Sequence, residues 1–117
     1  MARISLARQQ VSDSGLLAAY SPAQPEGHSV ENDGRIILHV RNGSQEPVTV
    51  TILTAYVRAG LKLADRVVEV AAGGEVFIGP LEPDVYNQPD GQVYMDYSAT
   101  EGVEVAALLV PQAGRHK

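Results

Sequence analysis

Arg35-Ile36-Ile37-Leu38-His39-Val40-Arg41 and Pro47-Val48-Thr49-Val50-Thr51-Ile52-Leu53-Thr54 are two runs rich in β-branched residues, separated by Asn42-Gly43-Ser44-Gln45-Glu46. β-Branched side chains are stiff at χ1 and pack well on a pleated surface, so both runs are predicted as strands. Asn and Gly tolerate the positive φ that a reversal needs, and Pro47 opens a strand where its missing N–H does least harm. A β-hairpin is therefore expected over 34–54. Ile36, Leu38 and Val40 share one face of the first strand, opposite Ile37, His39 and Arg41. In the second strand Val48, Val50 and Ile52 alternate with Thr49, Thr51 and Leu53. One face of each strand is built for a core.

Upstream, Asn32-Asp33-Gly34 reads as a turn into the first strand. Residues 12–32 are rich in Ser, Ala, Pro, Gln, Gly and Glu, and Pro22 and Pro25 forbid a helix interior. Residues 1–31 are accordingly expected to form an extended N-terminal arm, with a short extended piece near 16–20. In an extended reading of its start, Ile4 and Leu6 lie on one side and Arg3 and Ser5 on the other; a frayed helix fits residues 1–11 equally. Downstream, residues 56–65 have no helical period and are expected to cross from one sheet to another. Residues 66–71 and 75–78, joined at Gly73-Gly74, are expected as a second hairpin. Gly79-Pro80-Leu81-Glu82-Pro83 breaks the chain, and 84–90 is expected as a loop carrying Tyr86. Residues 92–98 form another strand, and 103–110, apolar on both faces, a central one that Pro111 ends. Residues 112–117 are polar and are expected to form a mobile tail.

Six to eight short strands with turn signals between them, and no amphipathic helix, predict an all-β antiparallel β-sandwich over 32–111, with a closed barrel as the alternative. Ile36, Leu38, Val40, Val48, Val50, Ile52, Val68, Val70, Val105 and Ala107 are expected inward. The 117 residues suit one domain. Hydrophobic residues make up 44% but aromatics only 5%, with no Trp, so Val, Ile, Leu and Ala must fill the core. Without Cys there is neither a disulfide nor a thiolate metal site, which fits synthesis in a reducing cytoplasm. A net charge of −5 argues against nonspecific binding to nucleic acid, which needs many Lys and Arg contacts to phosphate. No apolar run reaches the roughly 18 residues of a membrane span, and no signal-peptide pattern opens the chain.

Catalytic chemistry finds few candidates. His28, His39 and His116 lack zinc-site spacing, and Asp84, Asp90 and Asp96 lack the Gly and terminal Glu of a calcium loop. Asp65-Arg66 reads as a turn ion pair or strand-end cap. No glycine pair precedes a helix that would cradle phosphate, and Tyr97-Ser98-Ala99 lacks the glycines of a nucleophile elbow. The expectation is a protein that is not an enzyme and takes no cofactor, metal or small-molecule substrate. Tyr86, Tyr94 and Tyr97 are candidates for an interface, where tyrosine is enriched, or for ordinary core packing. Residues 1–12 carry Arg3 and Arg8 and no acid, ahead of an acidic remainder. With Ile4, Leu6 and Val11 they make the arm a candidate docking element, the alternative being that Ile4 and Leu6 begin the sandwich. Arg3, Ile4, Leu6, Arg8, Tyr86 and Tyr94 are thus the candidate partner-binding residues.

Several stretches together resemble a family of small head proteins of tailed bacteriophages, often described as capsid decoration proteins. The residues that carry the resemblance are Asn32-Asp33-Gly34, His39-Val40-Arg41-Asn42-Gly43, Val48-Thr49-Val50-Thr51, Gly60-Leu61, Ala64-Asp65-Arg66, Gly79-Pro80, Tyr86-Asn87, Asp90-Gly91-Gln92-Val93, Tyr97-Ser98 and 103–108. The resemblance implies a structural protein of the virion, a cement that binds and stabilises the head shell. Its partners would be the major capsid protein and neighbouring copies of itself, in a trimer where the shell sites are threefold. The alternatives are an adaptor or stopper in the head-to-tail connector, or another protein-binding sandwich.

Overall fold

The computed structural model describes residues 3–111; residues 1–2 and the expected tail at 112–117, with His116, lie outside the described residues. The fold is all-β apart from one helical turn. In chain order its elements are β1 (Ile4–Ser5), β2 (Arg8–Gln10), β3 (Ser21–Pro22), β4 (His28–Glu31), β5 (Ile36–Asn42), β6 (Val48–Ile52), β7 (Val57–Arg58), β8 (Leu61–Lys62), β9 (Arg66–Val70), β10 (Glu75–Ile78), α1 (Pro83–Tyr86), β11 (Gln92–Tyr97) and β12 (Val103–Leu109). The first sheet has the order β1-β4-β11-β6-β9 and the second β10-β5-β12-β2, with β3 also on β12. β7 and β8 pair only with each other.

The apolar faces of the two sheets join in one buried cluster. Nine of the ten residues expected inward belong to it, and Val68 packs against it half-buried. β12 is central, with β5 on one side and β2 and β3 on the other, as its two apolar faces require. The all-antiparallel expectation is corrected at two places: β1 runs parallel to β4, and β2 parallel to β12. The strand number is corrected as well, to twelve among the described residues. Five of these are only two or three residues long, too short to show an alternation in sequence.

Both expected hairpins are also corrected. β5 and β6 lie in different sheets, and so do β9 and β10. The polar breaks between them are arches that carry the chain from one sheet across to the other. The cause is that each of these strands has one apolar face, and two such faces are best buried by setting them opposite each other across a core. Asn42 makes the first arch. Its buried side chain donates to the carbonyls of Glu46 (2.7 Å) and Val70 (3.1 Å), while its Oδ1 accepts from the Ser44 N–H at 3.0 Å. Gly43 is not left-handed, so a side-chain amide rather than a positive φ turns the chain. The segment 56–65 does not cross between sheets; it leaves β6 and returns to its neighbour β9, with the β7–β8 hairpin between them. The expected 84–90 loop begins inside α1.

The extended arm is corrected most. Residues 4–31 contribute four strands, so the fold has no boundary at 31/32. Ile4 donates to the Gly27 carbonyl (3.1 Å), Leu6 to that of Ser29 (2.8 Å) and Val11 to that of Leu109 (2.9 Å). The segment 4–11 is thus a strap that pairs first with one sheet and then with the other, and buried Leu6 sits at the crossing. Gln9 closes the following loop, donating to the Ala19 carbonyl and accepting from its N–H, both at 2.7 Å. An edge strand offers unpaired donors and acceptors, and this strap supplies them with partners on one side of the molecule.

Candidate protein-binding surface

Sequence opens the 53–65 excursion with Thr54 and closes it with Asp65, and these two residues clasp its base. Asp65 Oδ1 accepts from the Thr54 N–H (2.9 Å) and from Lys62 Nζ (2.7 Å). Lys62 beside the carboxyl, helped by the Thr54 N–H, holds the Asp65 pKa below its ordinary value. Lys62 also donates to Thr54 Oγ1 (3.1 Å), and the Ala55 N–H donates to the Val85 carbonyl (2.9 Å), tying the excursion to α1. Thr54 is buried, so the base is fixed.

The tip carries little polar pairing and much apolar surface. Ala59 (φ 53°) and Gly60 (φ 80°) reverse the chain between β7 and β8 with two left-handed residues. That is the twist-matched two-residue turn of hairpins, here with Ala in a conformation that costs it on the order of 1 kcal/mol. Val57 is 60% exposed, Leu61 74% and Leu63 48%. Tyr56, Arg58, Ala59, Leu61, Lys62 and Leu63 line a shallow hollow of about 360 Å³. Val67, on the adjoining strand β9, is exposed too. Single exposed apolar residues are ordinary, whereas Leu61 and Leu63, two apart on one face of a clasped projection, make a candidate contact surface, with Val57 on the opposite face.

The residues picked from sequence fall elsewhere. Arg3 forms an ion pair with Asp96, donates to the Met95 carbonyl (3.1 Å) and lies over the Tyr94 ring at 4.8 Å. Gly27 permits this crossing: it has φ +82°, and a Cβ there would come within 2.6 Å of both the Met95 carbonyl and Asp96 Oδ1. Arg8 pairs with Glu31 (3.3 Å) and Asp33 (3.8 Å). Asp33 has its pKa lowered, chiefly by the hydrogen bond from Arg35. Leu6 is in the core, and only Ile4 of the four strap candidates stays exposed. Tyr86 packs half-buried against the core, with its hydroxyl 3.5 Å from Arg66 Nε. Tyr94 donates to Asp90 (2.7 Å), which raises its pKa. These six residues are therefore not one patch. Sequence reading missed Val57 and Leu61, because Ala-Gly is a weak turn signal beside Asn-Gly or Asp-Gly.

Two polar clusters carry the histidines. His39, on β5, is bonded at both ring nitrogens: Nε2 with Glu75 at 2.6 Å and Nδ1 with the Tyr20 hydroxyl at 2.7 Å. In the neutral ring with Glu75 accepting from Nε2–H, Nδ1 accepts a hydrogen bond from the Tyr20 hydroxyl, so both ring nitrogens are engaged within the protein. Phe77 stacks flat on the His39 ring at 4.0 Å, and the Arg41 guanidinium lies 3.6 Å over Tyr20. His28, buried in the first sheet, hydrogen-bonds with the Tyr97 hydroxyl at 2.6 Å. Burial lowers the pKa of His28 and raises that of Tyr97. Asp84, Asp90 and Asp96 do not converge, and among the described residues no group of three or more His, Cys, Asp or Glu is placed to hold a metal. No helix of the described residues is long and apolar enough to cross a membrane. Comparison with protein-family models, curated proteins and solved structures gives no match for this chain.

Proposed function

We propose that this chain is a structural protein-binding module, a decoration subunit that seats on the head shell of a tailed bacteriophage and cements neighbouring capsid subunits. The observation that carries the reading is the β7–β8 hairpin, clasped at its base by Thr54, Lys62 and Asp65 and exposing Leu61 and Leu63 along one face, with Val57 exposed on the other. A rigid scaffold that presents apolar side chains on a fixed projection loses little entropy on docking. The resemblance of the sequence to phage head proteins supplies the partner: the major capsid protein, with neighbouring copies completing a trimer at threefold sites. The subunit works in the virion by binding alone, and no step of chemistry is assigned to it.

The test is binding of the purified protein to undecorated head shells, followed by sedimentation. Leu61→Asp removes an exposed apolar side chain and places a charge at the contact. It is expected to leave the melting temperature within a few degrees of the parent and to weaken shell binding at least about tenfold, the scale of a residue at the centre of an interface. Unchanged binding by Leu61→Asp would refute the hairpin as the contact. Failure of the parent protein to bind shells would refute the capsid reading itself.

A further inference from the structure

The two sides of the sandwich are treated differently. On one side the strap covers the sheet edges, with β1 on the first sheet and β2 on the second. On the other side β9 and β10 end their sheets, with no further strand among the described residues. Natural edges are blunted by shortness, charged side chains, Pro, a bulge or a covering element. β10, Glu75-Val76-Phe77-Ile78, is short and carries one charge, Glu75, with no Lys or Pro within it and with an exposed aromatic beside that charge.

Its outward side chains are set for a partner. Phe77 pairs across to His39 and Glu75 to Arg41 on β5. One face of the Phe77 ring lies on His39, yet 65% of the residue is exposed. Because His39 belongs to β5, the other face of the ring looks away from the sheet, over the side of β10 that has no strand. The ring is held before any partner arrives, since His39 is fixed by Tyr20 and Glu75 together. Glu75 keeps more than half of its carboxyl side chain in solvent.

We infer that the free edge of β10 receives an extended segment of a partner protein as an added antiparallel strand, with an apolar side chain on Phe77 and a Lys or Arg opposite Glu75. Main-chain hydrogen bonds would supply affinity, and these two side-chain positions the choice of sequence. Charge decides the kind of partner. A second copy would bring another Glu75 to the same short edge, whereas a basic segment is attracted to it. The inference does not rest on the capsid reading, and it uses a strand apart from the β7–β8 hairpin.

The probe is a synthetic peptide, Thr-Thr-Phe-Thr-Lys-Thr-Thr, titrated into the full-length protein and followed by backbone amide shifts. In an antiparallel register its Phe meets Phe77 and its Lys meets Glu75. Saturable shifts centred on 75–78 and slowed amide exchange along β10 are expected. Phe77→Ala and Glu75→Gln should each weaken binding about three- to tenfold with the fold intact, and a peptide with Glu in place of Lys should bind more weakly by a similar factor. The inference is overturned if shifts centre on β9 or the hairpin, if Phe77→Ala binds as the parent does, or if millimolar peptide gives no shift. It is also overturned if the protein alone dimerises through this edge.

Discussion

Asn42 is 1% exposed, and its one amide meets carbonyls of Glu46 and Val70 while its oxygen takes the Ser44 N–H. Asn32 repeats the device before β5: its Nδ2 donates to the Leu81 carbonyl (3.0 Å) and to Asn87 Oδ1 (2.7 Å), and its Oδ1 accepts from the Gly34 N–H (3.0 Å). A buried donor or acceptor without a partner costs more than a hydrogen bond contributes. Asn42→Ala is therefore expected to destabilise the protein by about 2–3 kcal/mol, read from denaturant midpoints at unchanged m-value. His28 gives a second residue-scale outcome. Burial depresses its pKa below the ordinary 6.5, so the unfolded chain takes up a proton that the folded one resists. The stability associated with neutral His28 is fully present above 6.5 and is lost as pH falls through the lowered folded value. Melting temperature should therefore begin to drop as pH falls below about 6.5, and His28→Gln, which cannot titrate, should flatten that slope. A slope unchanged in His28→Gln would place its origin in another group.

Among the elements, β5, β6 and β12 are legible because each is five to seven residues long, β5 and β6 through an alternating buried face and β12 through apolar residues on both faces. Their partners are not. A polar break with Asn and Gly serves an arch as well as a hairpin, and only the need to oppose two apolar faces across a core selects between them. The strap follows the alternative reading, in which Ile4 and Leu6 begin the fold rather than a docking arm. An apolar-basic segment ahead of an acidic body is attracted to acids, and sequence does not reveal that the acids are the chain's own Asp96, Glu31 and Asp33. Leu6 is the element's anchor. Leu6→Ala should cost about 2–4 kcal/mol and should speed amide exchange in β1 and β2 before the rest of the sandwich opens. An unaltered melting temperature with normal protection in β1 and β2 would contradict the strap's structural role.

At the scale of the molecule, one side is sealed by its own N-terminus and the other leaves two strand edges beside an apolar projection. The all-β class and the composition of the core follow from β-branched alternation and scarce aromatics. The proposed contact surfaces do not, because exposure of Val57, Leu61 and Phe77 is settled by tertiary placement rather than by local pattern. We propose that the protein docks on a head shell through the β7–β8 hairpin, and an electron-microscopy reconstruction of the decorated particle decides it. This fold is expected on the outer shell, on the order of hundreds of copies per particle arranged by the shell's symmetry, with Leu61 against a capsid subunit. About a dozen copies at the junction of head and tail, or shell-bound density with the hairpin pointing into solvent, would contradict it.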